Sequence, residues 1–479
     1  MRSETKLAPL TVLPLILGVL ACSGPGLADE AGSTTDPGGE TTGEGDGDGD
    51  GDADLPQDEG DGDGDAEPFC GDGKVDPFEL CDDGDGCEAD CTLPACSLAW
   101  LAVDADKTLS SINNFGPTPI VVRGDGVVVS AHEGDDEFGI NVRVQALTGE
   151  GDLLWAAAHA FDTQRDKPNV LIADAAGDLY LGVSINASTA SRAAIVKLSG
   201  LDGSVLWQYE HEGLFSAQHN RAAHLEFDGA GRLIAALVIN EDESGTNVVI
   251  AALDPDAGSP EWIASWSGPL GLHGQANDRT NKFVIDPADD SIYVLADRNP
   301  DSNLYAPMLL RFEPPATVAT LAVDIHPGAP TPASTGASLA LTSTGELVAL
   351  LQSTTGEGFT LVGLAKPTGA LQWQRSSIDY GLGVGEARAF GLDMLARPSG
   401  GVAVTGWGSD LTQPLTQGFM LALDANQDLH CLGLLDQTLD NLSGSPFPFD
   451  LAVGPDAERI YASGFTLGGG ARRFIAAWD

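Results

Sequence analysis

The sequence has little positive charge, few aromatic residues and almost no cysteine outside one short stretch. It carries 23 Lys and Arg against 71 Asp and Glu, a formal net charge of −48 over 479 residues. A chain this acidic repels nucleic-acid phosphates, so we expect no nucleic-acid partner. Aromatic residues make up only 6%, whereas 60 glycines favour tight turns over long helices. The 42% hydrophobic fraction is ample for a folded core.

Long hydrophobic runs are also scarce. The run from Leu7 to Leu20 is interrupted by Pro9 and Pro14 and follows the basic residues Arg2 and Lys6. It is shorter than the roughly 20 residues that a membrane-spanning helix needs. These features predict a signal peptide over residues 1–21.

The residues "VLAC" at the end of this run resemble the lipobox of bacterial lipoproteins, in which the cysteine receives the lipid. The resemblance implies lipidation at Cys22 and contact with a membrane through that anchor. The following Ser23 favours the outer membrane, facing either the cell surface or the periplasm. The alternative is ordinary secretion, with cleavage near Ala21 or Ala28.

Residues 22–69 consist mainly of Gly, Asp, Glu, Thr and Pro. Such a segment has too few apolar groups to offset its chain entropy, and its charges repel one another. We expect a disordered acidic tether. Its Asp-Gly repeats lack the fixed ligand offsets of an EF-hand loop, which argues against a calcium site there.

A cysteine-rich stretch, "CGDGKVDPFELCDDGDGCEADC", follows the tether. Its four cysteines are Cys70, Cys81, Cys87 and Cys91. Behind a signal peptide this density predicts disulfides in a small module over residues 70–96. A zinc site is disfavoured because the stretch lacks histidine and C-x2-C pairs. The three ways of pairing the four cysteines remain open.

The C-G-D-G, E-x-C-D-D-G and D-G-C elements of this stretch resemble the cysteine-rich repeat of myxobacterial surface proteins. The resemblance implies an extracellular, disulfide-bonded module. Weak calcium binding by its acidic side chains is an alternative, and we predict no other metal and no cofactor. Cys96 and Cys431 are left over as an even pair, so a disulfide between them is expected.

From residue 97 the chain repeats a turn followed by an alternating apolar strand, as in "AGDLYLGV" and "TGELVALL". Seven copies align on one turn position, 51 to 59 residues apart: Gly126, Gly177, Gly231, Asp290, Gly345, Gly400 and Glu458. Each copy has one strand before the turn and a third strand after it, and six have a fourth strand. Four strands per repeat predict an all-β, seven-bladed β-propeller over residues 97–479.

The seventh copy ends after its third strand, at Asp479. The segment "SLAWLAVDAD", Ser97 to Asp106, has the character of the missing strand. We expect this N-terminal strand to complete the last blade and so close the ring.

The fourth strands "GDLLW", "GSVLW" and "ALQW" resemble the tryptophan repeats of PQQ-type propellers. That class includes quinoprotein dehydrogenases and the lipoprotein propeller of the outer-membrane assembly machinery. The resemblance implies that a tryptophan packs between neighbouring blades. The residues concerned are Trp155, Trp207, Trp262 and Trp373.

No motif in the sequence indicates catalysis: C-x-x-C-H, G-x-S-x-G, H-E-x-x-H and the P-loop are all absent. The loops before four innermost strands do carry arginines at comparable places. These candidate ligand-binding residues are Arg165, Arg221, Arg279 and Arg388. Around one channel mouth they would suit an anionic sugar or a partner's carboxylate. The alternative is local pairing with Asp162, Asp166, Asp278 or Glu386, which would join blades.

The sequence therefore favours a cell-surface lipoprotein whose propeller is a binding or scaffold module for an extracellular protein or carbohydrate. One alternative is a secreted hydrolase or lyase acting at the channel mouth. A second is an outer-membrane protein assembly factor, by analogy with the lipoprotein propeller.

Overall fold

The computed structural model describes residues 95–103, 117–136, 139–162, 165–186, 191–211, 213, 220–242, 245–268, 279–301, 304–315, 318–325, 334–353, 358–382, 388–409, 416–435, 445–455, 459–467 and 472–479. The expected signal peptide, Cys22, the tether and the four cysteines of the small module lie outside the described residues.

The described strands form seven four-stranded antiparallel blades, which confirms the predicted propeller; blades one and two are also joined into one sheet by a single parallel bridge between Ile140 and Arg165. The first described strand, β1 (Leu98–Val103), belongs to the last blade. Blade one contains β2 (Ile120–Val122), β3 (Val128–Asp136), β4 (Gly139–Leu147) and β5 (Leu153–His159). Blade two contains β6 (Arg165–Ala173), β7 (Leu179–Asn186), β8 (Ser191–Leu198) and β9 (Val205–His211). Blade three contains β10 (Arg221–Phe227), β11 (Leu233–Asp242), β12 (Gly245–Leu253) and β13 (Pro260–Trp266).

Blade four contains β14 (Arg279–Ile285), β15 (Ile292–Asp301), β16 (Leu304–Phe312) and β17 (Leu321–Asp324). Blade five contains β18 (Ser334–Leu341), β19 (Leu347–Ser353), β20 (Phe359–Leu364) and β21 (Leu371–Ser376). Blade six contains β22 (Arg388–Ala396), β23 (Val402–Ser409), β24 (Thr416–Leu423) and β25 (Leu429–Leu435). Blade seven contains β26 (Ser445–Val453), β27 (Ile460–Leu467) and β28 (Arg472–Trp478). A 3-10 helix covers Ser377–Tyr380, and no described helix has the length and apolar character to cross a bilayer.

The N-terminal strand completes the ring as predicted. β1 pairs antiparallel with β28 and is the outermost strand of blade seven. Just before it, Ala95 forms a parallel bridge to Leu432 of blade six. Cys96 is disulfide-bonded to Cys431, with 5.0 Å between the Cα atoms and 335 residues between the cysteines in sequence. The closing strand is therefore covalently tied to blade six.

The turn position that aligned the seven repeats needs a left-handed backbone. Gly126, Gly177, Gly231 and Gly345 have φ between 80° and 91° there. The fourth repeat has Asp290 instead, at φ 57°. Asp tolerates positive φ because its short polar side chain can hydrogen-bond to the nearby backbone. The turn therefore keeps its geometry although Asp replaces Gly.

The core consists of seven hydrophobic clusters, one at each junction between neighbouring blades. Middle strands such as β8 are buried on both faces and are mostly apolar, whereas outermost strands such as β5 alternate between more and less exposed residues. Trp155, Trp207, Trp262 and Trp373 each pack against one of these clusters.

The outer-strand tryptophan lies against the neighbouring blade at the turn between its third and fourth strands. A Cβ placed on Gly203 would come within 2.7 Å of the Trp155 ring, and one on Gly258 within 2.6 Å of the Trp207 ring. Trp207 Nε1 also donates a hydrogen bond to Pro255 O at 2.9 Å. Trp100 of β1 makes the same contact with blade one, donating to Gly149 O at 2.7 Å.

Candidate functional site: the central channel and its mouth

The innermost strands β2, β6, β10, β14, β18, β22 and β26 surround a central channel. We call the end of the ring at which these strands begin the mouth face, and the end with the Gly and Asp turns the turn face. Six of the seven inner strands have a register shift at the same place, for example between Ala222 and His224. A bulge re-aims the side chain that follows it, and bulges are common beside functional sites.

The residue immediately after each bulge is mostly polar. From blade two to blade seven these residues are Val170, His224, Lys282, Ser338, Asp393 and Asp450. They form one layer across the channel, because the equivalent position of each blade lies at the same depth. A second carboxyl group, Glu226, lies two residues beyond His224 on the same side of β10.

An ion pair crosses this layer from blade four to blade six. Lys282 Nζ lies 2.9 Å from Asp393 Oδ1 and donates a second hydrogen bond to Met394 O at 2.8 Å. Ser338 Oγ of blade five donates to the same Asp393 oxygen at 2.8 Å. Burial alone would raise the pKa of Asp393, but Lys282 and these hydrogen bonds hold it below its ordinary value. Asp393 is therefore ionised.

Asp450 is in the opposite protonation state. Its Oδ2 accepts a hydrogen bond from the backbone N–H of Ile120 at 2.8 Å, which connects blade seven to blade one. Burial, followed by the charge of Asp393 beside it, raises the pKa of Asp450 well above its ordinary value. Two carboxyl groups this close cannot both ionise, so Asp450 carries the proton and hydrogen-bonds to Asp393.

The side chains of His224 and Glu226 are both uncharged at neutral pH. Burial, reinforced by the nearby Lys282, lowers the pKa of His224 to about 3. Burial raises the pKa of Glu226 to about 8, although Lys282 acts against this shift. Both side chains are partly buried, and both line the two channel cavities.

Two adjoining cavities of about 660 Å³ each occupy the channel. Residues from all seven blades line the cavity nearer the mouth face, which we call the upper channel cavity; the other is the lower cavity. His224, Glu226 and Lys282 line both cavities, so the polar layer lies where they meet. Each volume is in the range of ordinary small-molecule sites.

A cluster of five aromatic rings lies at the mouth face on blades six and seven. Phe390 and Trp407 face each other across β22 and β23, nearly parallel with centroids 4.1 Å apart. Trp407 meets Phe447 of the next blade at 5.3 Å, edge to face. Phe465 stacks on Phe447 and on Phe449, and Phe449 lines the upper channel cavity. We call these five residues the aromatic cluster; all but Phe465 are partly exposed.

The two arginines whose side chains are described both contact a neighbouring blade. Arg165 of blade two pairs with Glu133 of blade one, with Nη2 to Oε2 at 2.6 Å. Arg221 of blade three donates to Thr280 O at 3.0 Å and Asn281 Oδ1 at 3.2 Å, both in blade four. Arg221 also lines the upper cavity. The side chains of Arg279 and Arg388 lie outside the described part of the chain.

The sequence suggested Asp162 and Asp166 as local partners of Arg165, and the structure gives both carboxylates other contacts. Asp166 Oδ2 accepts the backbone N–H groups of Phe161, at 2.7 Å, and Asp162, at 3.2 Å. Burial raises the pKa of Asp166 to about 6. Asp162 pairs with Arg192 at 3.2 Å. Arg165 thus pairs with the carboxylate of Glu133, on the preceding blade.

Sequence reasoning missed both the polar layer and the aromatic cluster. A signal for the layer was present, because His224, Lys282, Ser338, Asp393 and Asp450 each interrupt an apolar inner strand at the same place in the repeat. The strands that carry the aromatic rings were recognised from the repeat pattern, and that pattern gave no indication that these rings would lie together. Among the described residues, no group of three His, Cys, Asp or Glu side chains is arranged to hold a metal ion.

No family model and no curated protein matches this chain. Solved structures do match it. A quinohemoprotein alcohol dehydrogenase from Comamonas testosteroni is 12% identical, with a TM-score of 0.45 over 80% of this chain and 76% of the other. A europium-containing methanol dehydrogenase is 12% identical, with a TM-score of 0.44 over 79% of this chain and 93% of the other. The polysaccharide lyase Uly1 is 10% identical, with a TM-score of 0.49 over 79% and 93%.

Identities of 10% to 12% reflect the fold alone. The sheets of this chain themselves form the seven-bladed propeller. Because one fold supports many functions, the function depends on the residues of the site.

Proposed function

We propose that this chain is a cell-surface binding protein whose propeller takes an extracellular saccharide at the mouth of its channel. The observation that carries the proposal is the aromatic cluster, which is continuous with the upper channel cavity through Phe449. Partly exposed aromatic rings beside a polar cavity suit a sugar, because one face of a sugar ring is apolar while its edge carries hydroxyl groups.

The polar groups needed for sugar hydroxyls line the same cavity. Asn169 and Asn281 lie on blades two and four, and Arg221 on blade three. Their amide and guanidinium groups supply both donors and acceptors. A saccharide stacked on the aromatic cluster would direct its hydroxyl groups towards these side chains.

Display at the cell surface rests on the N-terminal sequence. A lipid on Cys22 would hold the chain at the outer membrane. The acidic tether of residues 22–69 and the cysteine-rich module would then separate the propeller from the bilayer. The first described residues, Ala95 and Cys96, connect this N-terminal part to blade six, the blade that also carries Phe390 and Trp407.

Binding is favoured over glycoside hydrolysis by the carboxyl pair in the channel. Glycoside hydrolases need their two catalytic carboxyl groups roughly 5 to 9.5 Å apart, with the glycosidic bond between them. Asp393 and Asp450 are instead hydrogen-bonded to each other, and Asp393 is also held by Lys282. This arrangement leaves no room for a glycosidic bond between them.

The test is a glycan and peptide array probed with the full chain. We expect retention by one class of glycan, with loss of binding in Trp407→Leu and Phe449→Leu. Trp266→Leu is the matched control, because Trp266 lies on the outermost strand of blade three. Near-ultraviolet circular dichroism would verify that each variant is folded. Retention of peptides only, or equal glycan binding by all four proteins, would contradict the proposal.

A further inference from the structure

The outermost strand of blade one, β5, is an exposed sheet edge without a charged residue. Among the described strands it pairs only with β4, and no described strand lies along its other edge. Its sequence is LLWAAAH, and its exposed residues are all apolar: Leu153, Leu154, Ala156 and Ala158. Proteins usually protect such an edge with charged side chains or proline, because its free backbone groups can pair with another strand.

The outermost strands of the other blades do not share this character. Those of blades two, three, five and six each expose a polar or charged side chain. These are Gln208 in β9, Glu261 in β13, Gln374 in β21 and His430 in β25. Both β17 and β1 expose a single alanine. Blade packing therefore does not require an apolar outer edge, and the one on blade one needs another explanation.

Apolar residues of blade two extend this edge. The turn between β8 and β9 lies against β5, since a Cβ added to Gly203 would come 2.9 Å from the Ala157 Cβ. Leu201, in the same turn, is 86% exposed, and β9 begins with two exposed apolar residues. The apolar edge, as we call it, consists of Leu153, Leu154, Ala156, Ala158, Leu201, Val205 and Leu206. Contiguous exposed apolar surface of this kind marks an interaction site.

Carboxylates lie at the turn-face end of the apolar edge. Asp152 directly precedes β5, Glu150 lies two residues earlier, and Asp202 follows Leu201 in the turn of blade two; all three are exposed. Arg123 and Arg459 lie near this end, but each is already paired with a carboxylate outside this group, at 2.7 and 2.6 Å. The end therefore keeps a surplus of negative charge, whose complement is a basic group.

We propose that the apolar edge binds an extended strand of another protein, apolar along its length and carrying Lys or Arg at its C-terminal end. Because β5 begins at the turn face, a strand added antiparallel to it ends there. Its C-terminal basic residues would then meet Asp152 and Asp202. In strand addition the backbone hydrogen bonds supply affinity, and alternate side chains supply specificity.

A second copy of this chain fits the apolar edge less well. Antiparallel pairing of two β5 strands about Ala156 would bring Glu150 of one copy towards Asp162 of the other, and like charges at paired positions are unfavourable. Each copy also carries a net charge of −48. The partner is therefore a different, basic-ended chain. The site lies on the outer edge of the ring, so the inference is independent of the saccharide site in the channel.

The probes are three peptides of seven residues, the length of β5. VTVTVKK is the expected ligand, KKVTVTV tests its direction, and VTVTVEE tests its charge; all have blocked ends and a fluorescent label. Fluorescence anisotropy measures their binding to the full chain. We expect VTVTVKK to bind about tenfold more tightly than either other peptide. This advantage should shrink between about 0.05 and about 0.5 M salt, because exposed charges are screened.

Ala156→Lys places an ammonium group in the middle of the apolar edge and should weaken binding of VTVTVKK at least about tenfold. Ala156 is exposed, so the variant should fold, which near-ultraviolet circular dichroism verifies. Gln208→Lys is the matched control, because Gln208 follows Trp207 of β9 as Ala156 follows Trp155 of β5. It should bind VTVTVKK like the unaltered chain. Asp152→Asn should weaken VTVTVKK about threefold without weakening VTVTVEE.

Hydrogen exchange should locate the added strand, with VTVTVKK protecting β5 and leaving β9 and β13 unchanged. No binding of VTVTVKK, equal affinity for the three peptides, or equal weakening by Ala156→Lys and Gln208→Lys would overturn the inference. Sedimentation velocity of the full chain tests the second copy. We expect a monomer, and a dimer that Ala156→Lys dissociates would overturn the inference by making β5 a contact between copies.

Discussion

Lys282 Nζ and Asp393 Oδ1 lie 2.9 Å apart across the central channel, joining blade four to blade six over the intervening blade five. Ser338 of blade five donates to the same oxygen, and the backbone N–H of Leu451 in blade seven donates to the other at 3.2 Å. The Asp393 carboxylate thus receives hydrogen bonds from blades four, five and seven, so this blade-six residue connects four consecutive blades of the ring.

Removing the charge of Asp393 is expected to destabilise the ring strongly. Asp393→Asn removes the ionised hydrogen-bond partner of Lys282, and breaking comparable buried pairs costs about 3 to 5 kcal/mol. Asp125→Asn is the matched control, since Asp125 pairs with Arg123 at 2.7 Å but is half exposed. That variant should lose less than about 1 kcal/mol. Denaturant unfolding measures both, and similar losses would contradict a central role for Asp393.

The Cys96–Cys431 disulfide should stabilise the closed ring. It closes a loop of nearly the whole propeller and holds β1 in place on β28. The double variant Cys96→Ser, Cys431→Ser should lower the free energy of unfolding by about 2 to 5 kcal/mol. Hydrogen exchange should rise first in β1 and β28. Unchanged unfolding together with unchanged exchange in these strands would show that the disulfide does not secure the closure.

The contact between Trp155 and Gly203 gives a test of the junction between blades one and two. Gly203→Ala places a methyl group against the Trp155 ring at a residue with φ 71°. Gly231→Ala is matched in backbone, with φ 81°, but has nothing within 4 Å of the added methyl group. Both variants bear the backbone strain, so the excess loss in Gly203→Ala, about 1 to 3 kcal/mol, reports overpacking. Thermal unfolding of the two variants measures this excess, and equal melting temperatures would mean that the ring shifts freely.

Glu226 should make the stability of the unliganded chain fall as pH rises. Its pKa is about 8 in the folded chain and near 4.5 when unfolded. The folded state therefore binds more protons over this range, and stability is greatest below pH 4.5 for this group and is lost up to about pH 8. Glu226→Gln should flatten the curve of melting temperature against pH between 5 and 8. A decline of the same size in the variant would assign it to other groups.

The architecture could be predicted because its causes are local and repeated. Apolar alternation marks each strand, and a residue able to adopt positive φ marks each turn, even where Asp290 replaces glycine. The pairing of Cys96 with Cys431 followed from counting cysteines outside the small module. The closing strand followed from a seventh repeat with only three strands of its own.

The site could not be predicted in the same way, because it depends on which blades meet. Lys282 and Asp393 are 111 residues apart, and only ring closure brings them together. The aromatic cluster likewise joins Trp407 to Phe447 across a blade junction. Ring closure also explains the contact of Trp100 with blade one. Trp100 lies on β1, which meets blade one only because β1 completes blade seven.

The most direct test of the account locates the bound saccharide. Hydrogen–deuterium exchange of the full chain would be compared with and without the glycan most strongly retained on the array. We predict protection at the mouth-face ends of β22, β23, β26 and β27, where the aromatic cluster lies, with the outer strands of blades one to three unchanged. Protection confined to the outer strands or the turn face would contradict a binding site at the channel mouth.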